Sequence, residues 1–178
     1  MVESARIFAH HPRLLRAFAR FNRAVERPDA VGARLKHLAV LKAATIVECE
    51  FCIDIGSEQA RKAGISDQHL LALPHALESG LFDEDELMVI DLATGMSRTP
   101  PEVDDTLIAA LSRRFGDKGV LELCYLIAWE NDRARLNAAL GIGAGGFSQN
   151  RVCALPERQA PASTTGAHTA TSRPTATP

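Results

Sequence analysis

The chain has 178 residues, of which 46% are hydrophobic and 24% charged, with a net charge of −2. That composition suffices for one hydrophobic core, and its balanced charge excludes an electrostatic footprint for nucleic acid or an anionic membrane. No apolar run reaches the ~18–20 residues that span a bilayer, and four cysteines in a chain of this length are not a disulfide scaffold.

In chain order, the opening segment "MVESARIFAHHPRLLRAFARFNRA" is basic and amphipathic like a transit peptide, but it lacks the serine content of one. His11-Pro12 reads better as a helix start, with Leu14, Leu15, Phe18 and Phe21 following at helical spacing to about Val25. Leu35, Leu38, Leu41 and Ala44 share one face of a second helix. A third is expected from about Glu50 to Ala63, with Gly64 as its stop. Ser66 is placed to cap "DQHLLALPHAL", which Pro74 interrupts. Asp83 with Glu86 forms a capping pattern, and Thr99-Pro100-Pro101-Glu102 predicts a further helix start, that helix ending at Gly116. The last helix, "GVLELCYLIAWENDRARLNAALG", begins apolar and turns polar halfway. No stretch alternates with period two, so no strand is expected. The sequence predicts one all-α domain over residues 1–148. Residues 149–178 form a Pro/Thr/Ala-rich tail, expected to be disordered because it cannot bury enough surface to offset its ordering entropy.

The chemistry concentrates in "IVECEFCIDIG", where Cys49 and Cys52 stand three residues apart. On a helix such residues are neighbours, with Cα atoms ~5 Å apart, inside the range a disulfide requires. Locally this leaves a redox pair, half a zinc site, or two buried bystander thiols. A helix start near Cys49 favours the thiolate, whereas Glu48, Glu50 and Asp54 oppose it. A zinc site lacks further ligands. Cys124 lies in an apolar helix, Cys153 at the edge of the tail, and no second Cys-x-x-Cys or close histidine pair completes the spacing. "GIGAGGFS" follows a helix, so it reads as a stop and packed turn rather than a phosphate loop. No metal and no cofactor are therefore expected. Glu130 with Arg133 and Asp132 with Arg135 read as structural i,i+3 ion pairs, and Trp129 reads as packing. Asp54 reads as a solvated carboxylate, and His69 and His75 are assigned no role.

"CEFCIDIGSEQARKAGIS", preceded by "RLKHLAVLKAATIVE" and followed by "RTPPEV" and "WENDRARLNAALGIGAGGFS", resembles the carboxymuconolactone decarboxylase and alkylhydroperoxidase-D-like family over residues 10–148. The resemblance implies an all-α fold of about six to eight helices, with a helical hairpin around the cysteines, assembled into trimers or hexamers. It also implies a hydroperoxide or disulfide substrate, reduced through a dithiol/disulfide cycle and followed by recharging from a partner dithiol. Within that resemblance Cys52 is the attacking sulfur and Cys49 the resolving one.

Three positions depart from the thiol members of the family. Gly56 stands where they carry a histidine after the second cysteine. His37 stands where they carry a glutamate before the first. Phe51 occupies the position between the cysteines that histidine can take. His37 is the candidate base in place of the glutamate, provided the chain folds back, because twelve residues of straight helix cover ~18 Å. The alternative is a non-catalytic helical oligomer, a binding or assembly scaffold that has lost the proton relay. With no secretory signal at the start, a cytoplasmic, reducing location is expected.

Overall fold

The computed structural model describes residues 3–149 and 151–157. Among them are eight α-helices and no strand: α1 Glu3–Ala9, α2 Pro12–Glu26, α3 Ala33–Val47, α4 Glu50–Lys62, α5 Asp67–Ala72, α6 Ala76–Ser79, α7 Glu84–Ser97 and α8 Asp105–Ala139. A single 3-10 turn, Leu73–His75, joins α5 to α6 where Pro74 cannot donate a helical hydrogen bond. The all-α expectation holds. None of the described helices is long and apolar enough to cross a membrane.

Helix α3 is the axis of the fold. Leu38 and Leu41 face a core shared with Cys49, Cys52, Ile53 and Ala134. Ala39 and Ala43, on its other side, face a second core with Leu92, Leu111, Leu123 and Ile127. Its run of small buried residues lets α4, α7 and α8 all approach closely.

Local signals explain most boundaries. His11 caps α2 with Pro12 at its first position, and Ser66 caps α5. Asp83 and Glu86 form a reciprocal capping box at α7. Gly64 (φ 84°) follows α4 in the left-handed region that favours glycine. Gly116 (φ 69°, ψ 168°) breaks α8 into two helical segments at a kink, as the sequence predicts.

One helix start differs from expectation. The chain from Pro101 to Asp104 is irregular, and α8 begins only at Asp105, capped by Asp104. The proline segment instead doubles back on α7. The Glu102 amide donates to the Gly95 carbonyl at 3.0 Å, and the Glu102 carbonyl presses so close to Gly95 that no Cβ fits there. A tertiary contact at a side-chain-free position thus overrides a cap pattern that looks sufficient locally.

The chain also stays packed beyond the change of composition at Ser148. Residues 151–157 lie along α4. Arg151 pairs with Glu58, the Arg61 guanidinium donates to the Val152 carbonyl, and the Ala154 amide donates to the Ser57 hydroxyl at 3.0 Å. Ala154 is buried, and Glu157 pairs with the buried Lys42 at 3.2 Å. The packed region therefore extends at least to Glu157. The rest of the predicted tail, residues 158–178, lies outside the described residues.

Candidate active site

The cysteines occupy a sharp reversal between α3 and α4. Glu48 ends α3 in the left-handed region (φ 58°), unusual for a residue with a side chain. Cys49 then becomes the N-cap of α4, its sulfur accepting the Cys52 amide at 3.2 Å. Helix α4 doubles back along α3, with Arg34 reaching the Gly64 carbonyl at 2.5 Å. The reversal comes only after α3 has run unbroken to Val47. It therefore brings Gln59 and Lys62 of α4 beside His37 and leaves the cysteines about 15 Å of helix away. The fold-back that a relay from His37 would require is absent.

The two sulfurs lie at disulfide distance, with Cα atoms 5.2 Å apart. Both residues are buried, Cys49 at 3% and Cys52 at 6% relative exposure. One side chain reaches both sulfurs: the Asn137 carboxamide, 3.5 Å from Cys52 and 3.7 Å from Cys49. A donor there stabilises a thiolate over a thiol, as does the N-terminal end of α4.

Sequence reasoning placed Asn137 only among the polar residues of the last helix. A signal for it existed. On the buried stripe of α8, Leu123, Ile127 and Ala134 occupy the apolar positions, and Asn137 follows where another apolar residue is due. A buried amide at such a place needs a partner, and its partners are the sulfurs.

Gly56 stands in α4 against Leu41, whose Cδ1 lies 3.1 Å from where a Cβ would be. The room a histidine needs is filled by a fully buried leucine. Substituting Gly56→His is expected to destabilise the protein by about 1–3 kcal/mol through overpacking. Combining it with Leu41→Ala should cost less than the sum of the two single changes. A double-mutant cycle in urea measures this, and strict additivity would refute the packing account.

His37 is half-buried and makes no hydrogen bond to either sulfur. It lines a cavity of about 380 Å³ with Glu26, Lys36, Gln59 and Arg133. Burial and the adjacent Lys36 push its pKa below the ordinary value, against the pull of Glu26, so the imidazole is neutral at neutral pH.

Asp54 departs from the solvated carboxylate expected. It is buried and accepts the amides of Phe147 at 2.9 Å and Ser148 at 2.8 Å, while its own carbonyl accepts the Ser148 hydroxyl at 2.9 Å. Burial opposes its charge, but the bonds from Ser148, Phe147 and Gly146 outweigh that and hold its pKa below the ordinary range. This carboxylate clips the glycine-rich turn onto α4 and sets Phe147 edge-on to Phe51, with ring centroids 5.6 Å apart.

Among the other singled-out residues, Arg133 pairs with Glu130 at 2.5 Å, as the spacing predicts, and also with Glu26 at 3.1 Å. Arg135 bonds Asn131 at 2.5 Å and the Ser97 carbonyl rather than making the expected pair with Asp132. Trp129 packs on Phe18 and Phe21 of α2 and donates to Asn22 at 2.8 Å. Cys124 and Cys153 are free, partly buried thiols.

A sequence profile of the carboxymuconolactone decarboxylase family matches residues 12–94, the span from α2 through most of α7. The chain is 36% identical over 126 residues to the uncharacterized protein YnjA of Escherichia coli (strain K12), covering 70% of this chain and 66% of that protein. It is 22% identical over 116 residues to the uncharacterized protein YdfG of Bacillus subtilis (strain 168), covering 65% and 79%. With its helical hairpin and paired cysteines, the chain belongs to the carboxymuconolactone decarboxylase family.

Proposed function

We propose that the protein is a dithiol enzyme that reduces hydroperoxides or disulfides through Cys52 and Cys49. The observation that carries this reading is the pairing of two sulfurs at a helix start under one shared donor, Asn137. With a hydroperoxide, the Cys52 thiolate attacks the outer oxygen. The O–O bond breaks, the alkoxide takes a proton and leaves as the alcohol, and Cys52 becomes a sulfenic acid. Cys49 then attacks that sulfur, water leaves and the disulfide forms. A partner dithiol restores both thiols by exchange and carries away the disulfide. The Cys52 proton leaves to solvent, because His37 sits in the far cavity about 15 Å of helix from the cysteine turn, beyond the reach of a general base. The same reading includes a homo-oligomer and a reducing, cytoplasmic setting.

A second reading, a helical scaffold without turnover, draws on Leu41 filling the space beside Gly56 and on the lack of a hydrogen bond from His37 to the sulfurs. The deciding experiment adds a hydroperoxide to fully reduced protein and counts free thiols by mass spectrometry. Rapid loss of both Cys49 and Cys52 thiols supports the enzyme. Retention of both, while a control peroxidase oxidises, leaves the scaffold.

Asn137→Leu should then raise the Cys52 pKa and slow oxidation at neutral pH by about tenfold, about one pKa unit of lost thiolate stabilisation. The rate-against-pH profile should move to the alkaline side, a shift that a merely structural role for Asn137 would not produce.

A further inference from the structure

We propose that the groove along α4 is a binding site for an amphipathic acid, its apolar body beside the cysteines and its carboxylate at the far, basic end. As a substrate this would be a long-chain acid bearing a hydroperoxide distal to the carboxylate. That role rests on the dithiol reading above, whereas the binding does not.

Two cavities make up the groove. One, of about 390 Å³, is walled by Phe8, Leu15, Phe18, Phe51, Ile55 and Leu136, and it reaches Asn137, the donor to both sulfurs. The other is the His37 cavity of about 380 Å³. Glu26, Gln59 and Arg133 belong to the walls of both, so the two meet at these three side chains. Each volume suits a small organic ligand.

The order of residues gives the groove its polarity. Along one face of α4, Phe51 and Ile55 line the cysteine-side cavity, Gln59 the junction and Lys62 the far cavity. Eleven helical residues from Phe51 to Lys62 cover about 16 Å, the reach of an extended medium-length acyl chain. On the opposing face of α2, the change runs the same way from Leu15 and Phe18 to Asn22 and Glu26. Two helices thus turn from apolar to polar in register.

The far end favours an anion. Lys36, Lys62 and Arg133 line it against one carboxylate, Glu26, which Arg133 already engages. Lys36 is held by Glu122 at 3.1 Å, but Lys62 is 73% exposed and only loosely paired with Glu58 at 3.7 Å. An exposed pair of that kind is worth little, so Lys62 is free to turn to a ligand carboxylate. The neutral His37 adds an N–H donor with no hydrogen-bond partner among the described residues.

Trp129, the single tryptophan of the chain, packs behind the cavity wall with its ring 5.0 Å from that of the lining residue Phe18, and so reports occupancy by fluorescence. The test titrates dodecanoate, dodecanol and acetate into the full chain carrying Cys49→Ser and Cys52→Ser, which separates binding from redox chemistry. Saturable quenching by dodecanoate is expected, about tenfold tighter than by dodecanol, with none by acetate. Lys62→Glu should remove the advantage of dodecanoate over dodecanol, and Ile55→Glu should weaken both. Absence of saturable dodecanoate binding, or binding indifferent to both substitutions, overturns the inference. With the native cysteines, the rate ratio of a distal hydroperoxide of a long-chain acid to hydrogen peroxide should exceed tenfold and fall in Lys62→Glu. Dodecanoate binding without peroxide consumption would defeat the hydroperoxide form of the dithiol reading and leave the site standing. Peroxide consumption without dodecanoate binding would do the reverse.

Discussion

Replacing Cys52 with serine is expected to abolish hydroperoxide reduction, lowering turnover by on the order of a thousandfold or more, because a hydroxyl cannot replace the thiolate as nucleophile. Cys49→Ser should behave differently. Its Cys52 still attacks once, so one equivalent of peroxide is consumed and a sulfenic acid persists, trappable by a dimedone-type reagent and visible as an added oxygen on the Cys52 peptide. The two variants therefore separate attack from resolution. Local physics makes this a demanding test. Cys49 is the N-cap, where the partial positive charge of α4 is strongest, and it accepts the Cys52 amide. By the helix dipole alone, Cys49 would be the better thiolate. Asn137 lies slightly nearer Cys52, and the family resemblance assigns the attack there. If Cys49→Ser is the dead variant and Cys52→Ser the one that accumulates sulfenic acid, the assignment is reversed and the dipole prevails. If both variants retain full turnover, the dithiol mechanism fails outright.

What the sequence discloses about this site follows the range of the interaction involved. Interactions within four residues were legible: the capping box of Asp83 and Glu86, the stop at Gly64, and two thiols three apart at the start of α4. The all-α class followed from the same local periodicities. Interactions across the chain were not. Glu102 overrides the cap pattern at Thr99 only because Gly95, seven residues earlier, leaves room for a backbone. Asp54 looks like any surface carboxylate until the turn 93–94 residues later places two amides on it. Asn137 lies 85 residues from Cys52, and no local pattern names its partner. The departures at His37 and Gly56 were visible as letters, but their consequence depends on Leu41, fifteen positions before Gly56, filling the space beside it.

Asp54→Ala is expected to destabilise the protein by about 2–4 kcal/mol at neutral pH, because two amide donors lose a charged acceptor at a buried site. In a domain of this size that lowers Tm by roughly 5–15 °C. The pH dependence identifies the cause. The folded-state pKa of Asp54 lies below its ordinary value of 3.8, so the unfolded chain takes up this proton first as pH falls. The stabilisation is fully present above the ordinary pKa and is lost as pH falls through the folded one. The wild type should therefore lose its advantage over Asp54→Ala progressively in acid, the two stability curves converging below that range. A difference independent of pH would assign the cost to packing instead. The substitution also reaches the cysteines, because the clipped turn carries Phe147, which stands edge-on to Phe51, the residue between the two cysteines in sequence. Releasing that turn should expose a disulfide that is now 3–6% accessible. Its reduction by a small dithiol should accelerate, by about tenfold for each ~1.4 kcal/mol by which local opening is eased. Faster reduction at unchanged global stability would place the turn as a gate rather than a strut. Lower stability with unchanged reduction would show that the sulfurs are reached from the Asn137 side.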